Sequence, residues 1–525
     1  MASLIAAVAG LVASLSPASQ PPLNTTFIVA AQPAGRSPAQ DSIVLRVMTT
    51  NDLHGALLPS TQSWSNRREV GGAAAIAGMM NRLARECGGC ATLRVDAGDV
   101  MQGTPISNLS HGRATVEAFN AVGYAGVAVG NHEFDWTADT LAARMAEARF
   151  AWLTANARNA SGPGRPQWAA PWRMVRAGSL RVALIGYSSV LTPSVTRPAN
   201  VAALRFDSGA AIVDSLVDVA RRDSAADFVI LLAHEGGFCE QQGRGCRGEV
   251  MDLANALTRK PDLIVSGHTH SLVDAVVNGI PIVQARSNGT SLGVVDFVAG
   301  AGGRTARVRV ETVWADREQP DSAVARVVEE YRLATEPLTS RPVARLATAL
   351  PQQGGGPQYP LGNLIADALR AAGRADVAII NNGGIRAGLD SGVVTWGQLF
   401  QVSPFQNFVV RLTVTGAELR RVLDEFIGAR GPQAHVSGVR VVYVLGAPPG
   451  QRIAALTLRN GAPVRDGRRY TLALPDYLAS QGGVSSLPRR NTGIVDLDAL
   501  VEYLRRLPQP VRAPAEDRMV ERATR

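Results

Sequence analysis

The stretch "SGHTHS", Ser266 to Ser271, places two histidines one residue apart in a chain that has only seven. Four other segments carry similar groups. "TTNDLHG" supplies Asp52 and His54, and "VDAGD" supplies Asp96 and Asp99. "VGNHEFDW" supplies Asn131, His132, Glu133 and Asp135, and "LLAHEGG" supplies His234. Five of the seven histidines lie in these segments, the exceptions being His111 and His435. Imidazole, carboxylate and amide oxygen suit Zn, Mn, Fe, Co or Ni. No cysteine is among them, which argues against a structural zinc knot. Asp52/His54 and His268/His270 are i, i+2 pairs, and in extended backbone such residues point the same way. Seven donors exceed one tetrahedral metal and suit two metals sharing a carboxylate. Two metals about 3.5–4 Å apart clamp a phosphate and generate hydroxide at neutral pH, the chemistry of phosphoester hydrolysis.

Positioning five such segments requires strands that end together. Each follows an apolar or β-branched run: "IVLRVMTTND", "TLRVDAGD", "GVAVGNHE", "DFVILLAHE" and "PDLIVSGHTH". "RVALIGYSS" and "IPIVQA" are further strand candidates. Helical patterns such as "AAIAGMMNRLARE" and "TLAARMAEA" lie between them. Strands alternating with helices predict an α/β layer fold, with the site where strands emit their loops.

At 525 residues the chain predicts more than one domain. Residues 41–315 form the first α/β unit, and 316–340 a linker region with an amphipathic helix over 320–335. Residues 341–525 form a smaller α/β unit, with helices in "LGNLIADALRAAG", "GAELRRVLDEFIG" and "LDALVEYLRRL". Its strands are "NFVVRLTV", "VRVVYVL", "IAALTL" and "YTLAL". Hydrophobic content of 46% with 18% charged residues excludes global disorder.

Residues 1–40 read as a removable or disordered leader. "LIAAVAGLVASL" followed by small residues and Pro resembles a secretory signal, although it lacks a basic start. No run of about 18 or more apolar residues follows, so no membrane span is expected in the mature protein. The four cysteines fall in two close pairs, Cys87/Cys90 and Cys239/Cys246. A four-Cys zinc site and two local disulfides are both compatible with them, and export favours the disulfides. The net charge of +9 serves either solubility or attraction of an anionic substrate. Arg residues are dispersed without interleaved aromatics, so no nucleic-acid polymer is expected as a partner.

D-x-H, GD, GNHE, a later lone His and GH-x-H, in that order, resemble the calcineurin-like metallophosphoesterases. "NDLHG", "GNHEFDW" and "SGHTHS" narrow the resemblance to the 5′-nucleotidase / UDP-sugar hydrolase family. "NNGGIRAGLDSGVVTWGQLFQVSPFQN" resembles that family's C-terminal domain. The resemblance implies a layered β-sandwich flanked by helices, joined by a linker helix to a smaller α/β substrate-binding domain. It implies two divalent ions of unspecified identity. Asp52, His54, Asp99 and His270 would hold one, and Asp99, Asn131, His234 and His268 the other. A metal-bridging hydroxide would attack phosphorus. His132 would be the catalytic histidine and Asp135 its orienting partner, with Asp96 and Glu133 fixing loops.

The implied activity is removal of the 5′-phosphate from nucleotides by an exported, periplasmic or extracellular enzyme. Cyclic-nucleotide phosphodiester hydrolysis and UDP-sugar pyrophosphate cleavage use the same centre. A non-catalytic envelope-binding protein is the rival from another class, and it would be expected to have lost metal ligands. Asn381, Arg386 and Tyr477 match family substrate contacts. Gln433 stands where a second stacking aromatic is usual, and Val484 where an acidic residue holds the ribose. Pro357 and Gln358 replace a usual Arg and Glu. Base stacking contributes about 1–3 kcal/mol per base, so weaker or shifted nucleoside selectivity is expected.

Overall fold

The computed structural model describes residues 27–28, 42–62, 64–241, 243–300, 303–352 and 358–522. The leader expected over residues 1–40 lies outside them, apart from the short strand Phe27–Ile28. Two compact units divide between Ala334 and Thr335. The helix Ser322–Thr339 runs across that division.

The first unit is a sandwich of two mixed sheets. One has seven strands, in the order Phe27–Ile28, Gly303–Thr312, Ser291–Gly300, Ser42–Thr50, Ala91–Asp96, Gly126–Ala128 and Ala151–Leu153. The other has six, in the order Leu272–Val277, Ile280–Ala285, Leu263–Ser266, Phe228–Ala233, Leu180–Tyr187 and Trp172–Ala177. Val47, Val95 and Leu153 of the first sheet share one buried cluster with Leu184, Ile230, Val265 and Val283 of the second. Helices Ala73–Glu86 and Arg113–Val122 cover the outer face of the first sheet. Helices Ala211–Asp218 and Glu249–Ala256 cover that of the second. Strands buried on both faces read as continuous apolar runs, which is why "FVILLA" and "LIVS" lack alternation.

The register aligns the strand ends that matter. Thr50 pairs with Asp96, Asp96 with Val127, and Ala233 with Ser266, all in parallel ladders. Their C-terminal loops therefore open at the same end of each sheet. The long hairpin Ser291–Gly300 with Gly303–Thr312 has no counterpart among the strands expected from sequence. Its apolar positions, Val295, Phe297, Val308 and Val310, close the sandwich core.

The second unit has a five-stranded sheet in the order Ala434–Ser437, Val377–Asn381, Arg469–Pro475, Phe408–Thr415 and Arg489–Val495. Helices Pro360–Gly373 and Asp496–Arg506 bury one face of it. Helix Gly416–Glu425 and a three-stranded sheet cover the other. Thr415 and Glu418 form a capping box that starts this helix. The helix stops at Glu425, and Ile427–Gly428 leaves it as a short strand pairing with Gly431–Pro432.

Both cysteine pairs are disulfides, Cys87–Cys90 and Cys239–Cys246. Among the described residues no helix is long and apolar enough to cross a membrane.

Candidate metal centre

The loops after five strands bring the sequence-selected groups together in the first unit. Two groups of three residues have their ligand atoms within 4.8 Å of one another: Asp52, His54 and His270, and Asp99, His234 and His268. Asp52 and His234 are fully buried, while the His270 side chain is 30% exposed, which marks the open edge of the centre.

Extended backbone is not what aims these side chains. Asp52, His54, Asp99, His268 and His270 all have positive φ, at 51°, 51°, 58°, 78° and 56°. Non-glycine residues adopt that region rarely, and such conformations concentrate where surrounding structure and function over-determine them. The i, i+2 argument therefore fails in its geometry. The strands have already ended, and tight left-handed turns send His268 to one group and His270 to the other.

Hydrogen bonds from distant loops tie these turns down. Asp52 N–H donates to Gly98 O at 2.9 Å, and His54 N–H to Asp99 O at 3.0 Å. His268 N–H donates to the Asp52 carboxylate at 2.9 Å. The Glu133 carboxylate accepts from the N–H groups of Asp99, Val100 and Gly130 at 2.7–2.9 Å. Asp96 accepts from Thr50 Oγ1 at 2.6 Å and Gly98 N at 2.7 Å. Burial pushes Asp96 up to about 8, and burial with the neighbouring Asp99 charge pushes Glu133 up to about 7. Both acids fix loops.

The donor set fits a cation. His54 Nδ1 donates to Gln102 O at 2.8 Å, so its Nε2 presents a lone pair, 3.0 Å from His270 Nε2. His234 Nδ1 donates to Ala97 O at 2.8 Å. Its Nε2 faces two acceptors, Asn131 Oδ1 at 3.2 Å and Asp99 Oδ2 at 3.1 Å. Carbonyls that fix the far ring nitrogen are the usual support of metal-ligating histidines. The electrostatics draw positive charge to the same place. Without a metal, burial opposes a charge on His234, yet Asp99 outweighs it and pushes His234 up to about 10, so a proton takes the position on Nε2 that a cation would displace. Burial opposes ionisation of Asp52 as well, but His270 and His234 hold its carboxyl below the usual range. Burial pushes His268 down to about 4, leaving it a neutral ligand.

His132 and Asp135 sit on the short 3-10 turn His132–Phe134 and its cap. His132 Nδ1 lies 2.7 Å from Asp135 Oδ2, and His132 N–H donates to Asp99 Oδ1 at 2.8 Å. The His132 and His54 rings meet edge-on with centroids 5.2 Å apart.

Asn51 was not singled out from the sequence. Its Nδ2 bonds Asp52 Oδ2 at 2.7 Å and Arg286 O at 2.6 Å, and its Oδ1 accepts from Ala285 N at 2.7 Å. Its place beside Asp52 in "NDLHG" was the only signal.

The expected substrate contacts lie in the second unit. Asn381 ends the strand Val377–Asn381 and is half-buried. The Arg386 guanidinium stands 5.6 Å from the Phe405 ring. Tyr477, half-buried on the short helix Asp476–Ala479, packs against the apolar cluster that contains Val484. Val484 is 3% exposed and so is a core residue. Gln433 is half-buried beside the Ile427–Gly428 hairpin, with Nε2 3.4 Å from Gly431 O. Gln358 Oε1 accepts from Arg518 N and Met519 N at 2.8 and 2.9 Å, tying down the C-terminal segment. Pro357 lies outside the described residues.

Residues 45–272 match the family described as calcineurin-like phosphoesterase, and residues 342–487 match the 5′-nucleotidase C-terminal domain. Endonuclease YhcR of Bacillus subtilis is 29% identical over 514 residues, covering 91% of this chain but 41% of that protein. The chain thus spans less than half the length of that relative. Protein UshA of Escherichia coli is 25% identical over 534 residues, covering 92% of this chain and 95% of that one. The snake venom 5′-nucleotidase of Naja atra is 26% identical over 548 residues, covering 91% and 99%. The 5′-nucleotidase precursor of Thermus thermophilus superposes with a TM-score of 0.78 at 25% identity, covering 91% of this chain and 99% of that one.

Proposed function

Because the chain belongs to the 5′-nucleotidase family of calcineurin-like metallophosphoesterases, a family of metal-dependent phosphoester hydrolases, we propose that it hydrolyses the 5′-phosphate of nucleotides at a two-metal centre. The observation that carries this is the pair of adjoining ligand groups, Asp52/His54/His270 and Asp99/His234/His268, set beside a His132–Asp135 pair. In this reading Asp99 serves both metals, and Asn131 adds its amide oxygen to the second group. Two divalent cations held there would polarise the phosphoryl oxygens and acidify the attacking water.

The chain's own residues supply the rest. His132 stabilises charge developing on the phosphoryl group and hands a proton toward the leaving oxygen. Asp135 fixes the His132 ring through Nδ1, leaving Nε2 to face the substrate. Glu133 holds the Asp99 turn through three backbone N–H groups, so the shared carboxylate does not wander.

Asn381, Arg386 and Tyr477 contact the nucleoside in this reading. Val484 lies in an apolar core and supplies no acceptor for ribose hydroxyls, and Gln433 stacks less well than an aromatic ring. Selectivity for nucleoside monophosphates is accordingly relaxed, and cyclic phosphodiesters and nucleotide sugars become competing substrates. An exported location is supported by the apolar run near the N-terminus and by two disulfides.

A substrate panel on metal-reconstituted protein tests this. AMP, UDP-glucose, a 2′,3′-cyclic nucleotide, p-nitrophenyl phosphate and a single-stranded oligonucleotide would be compared by kcat/KM. Hydrolysis of AMP with the other small esters within about a thousandfold is the expected result. Absence of turnover on every phosphoester would sink the proposal, and a greater preference for AMP would sink relaxed selectivity.

A further inference from the structure

Thr269 lies between His268 and His270, and its side chain turns away from both toward another loop. Its hydroxyl donates to Gly237 O at 2.9 Å and accepts from Gly237 N at 3.2 Å and Gln284 Nε2 at 2.9 Å. One donor and two acceptor positions are all that a hydroxyl offers, so the group is fully used. Ser271 Oγ donates to the same Gly237 carbonyl. Gly236 packs so closely on the Thr269 methyl that a Cβ there would collide with it. Beside its bonds to Gln284 and the Asp52 carboxylate, the His268–His270 turn is therefore fastened to the Gly236–Gly237 neck.

That neck belongs to a loop closed on itself. Phe238 and Arg247 exchange backbone hydrogen bonds at 2.8 Å in both directions. One residue further out, Cys239 and Cys246 are joined by a disulfide, both cysteines being partly exposed. Val250 N returns to Gly236 O at 3.0 Å. The same loop starts at His234, so it leaves one ligand of the second group and grips the turn carrying the third.

We propose that the disulfide-closed loop 236–248 is a clamp that holds the His268–His270 turn in its left-handed conformation through Thr269, a positioning residue for both metals. The proposal rests on the two-metal reading of the centre. The strained φ values of His268 and His270 need an outside restraint, and the Thr269–Gly237 bonds supply it. Opening the disulfide lengthens the unrestrained loop and lets the neck drift. Reduction thus loosens metal retention while leaving every ligand in the chain.

The test measures metal release from the folded holoenzyme into a chromophoric chelator, with kcat and KM at saturating metal in parallel. A Cys87→Ser/Cys90→Ser background isolates the second disulfide. In it, Thr269→Val and Cys239→Ser/Cys246→Ser each speed release at least tenfold, and phosphine reduction of the parental Cys239–Cys246 bond does the same. Thr269→Ser, which keeps the hydroxyl, releases within about twofold of the parent. Combining Thr269→Val with the cysteine replacement speeds release by less than the product of the two effects, since both cut the connection to Gly237. Release at the parental rate from Thr269→Val, or from the reduced protein, overturns the clamp while leaving the metal centre standing. A parent that retains no metal overturns both. Phosphine reduction reads the folded protein directly, so the test survives poor folding of a variant.

Discussion

The Nδ1 of His132 lies 2.7 Å from Oδ2 of Asp135, three residues on in the same short turn. The carboxylate takes the ring's Nδ1 and fixes the ring's orientation. In the proposed reaction His132→Ala removes the group that would meet the reacting phosphate, and kcat should fall by about 10²–10⁴-fold, the usual contribution of a placed acid–base group. Asp135→Asn should fall less, because the ring stays and only its orientation loosens. Steady-state kinetics on one phosphoester would check both. A His132→Ala variant as fast as the parent would remove His132 from the mechanism.

Chelation should abolish turnover and lower Tm together. A ligand bound only to the native state stabilises it by mass action, and the buried Asp99 and Asp52 carboxylates gather at the site a cation would neutralise. Thermal scans with and without a divalent ion, at two concentrations, give the readout. A Tm that ignores metal would show that these groups do not bind it.

His435 should make the second unit acid-sensitive. Burial, with the Arg518 charge adding to it, pushes His435 down to about 3 from an ordinary 6.5. The unfolded chain therefore binds a proton that the folded chain refuses. Stability from this group is intact above pH 6.5 and is lost as pH falls toward 3, at about 1.4 kcal/mol per unit. Both ring nitrogens lack partners and Gly362 packs against the ring, so His435→Gln is the compatible neutral replacement. Chemical denaturation at about pH 7 and about pH 4.5, on either side of the ordinary histidine value, should show a parent-to-variant difference that favours the variant at the lower pH. An unchanged difference would remove His435 as the cause.

Val484→Asp should not create a ribose-hydroxyl contact. Val484 packs with Leu478, Ala479 and Val422 in an apolar cluster, and a carboxylate there loses hydration without gaining a partner. The expected result is a lower Tm with no improvement in kcat/KM for AMP over p-nitrophenyl phosphate. An AMP preference that rises tenfold would place position 484 at the substrate.

The donor inventory was legible in the chain because metal chemistry needs particular atoms, and few residues carry them. Five strand-end segments held Asp52, His54, Asp99, Asn131, His234, His268 and His270. The α/β layering followed from apolar runs alternating with helical patterns. The Ser291–Thr312 hairpin was missed because its alternation carries no chemistry and pairs only locally until it meets the strand Ser42–Thr50.

Spacing alone did not say which donor joins which; the family resemblance implied the division, and the tertiary structure shows how it is made. Spacing suggested that His268 and His270 point alike, and left-handed turns separated them. Asn51 and Thr269 gained their roles from partners as much as 235 residues away, such as Arg286 for Asn51. Sequence determines the elements and the available ligand atoms, since these are properties of residue type and local pattern. The fold decides their direction, because backbone dihedrals in the turns are set by hydrogen bonds to distant loops that no local pattern encodes.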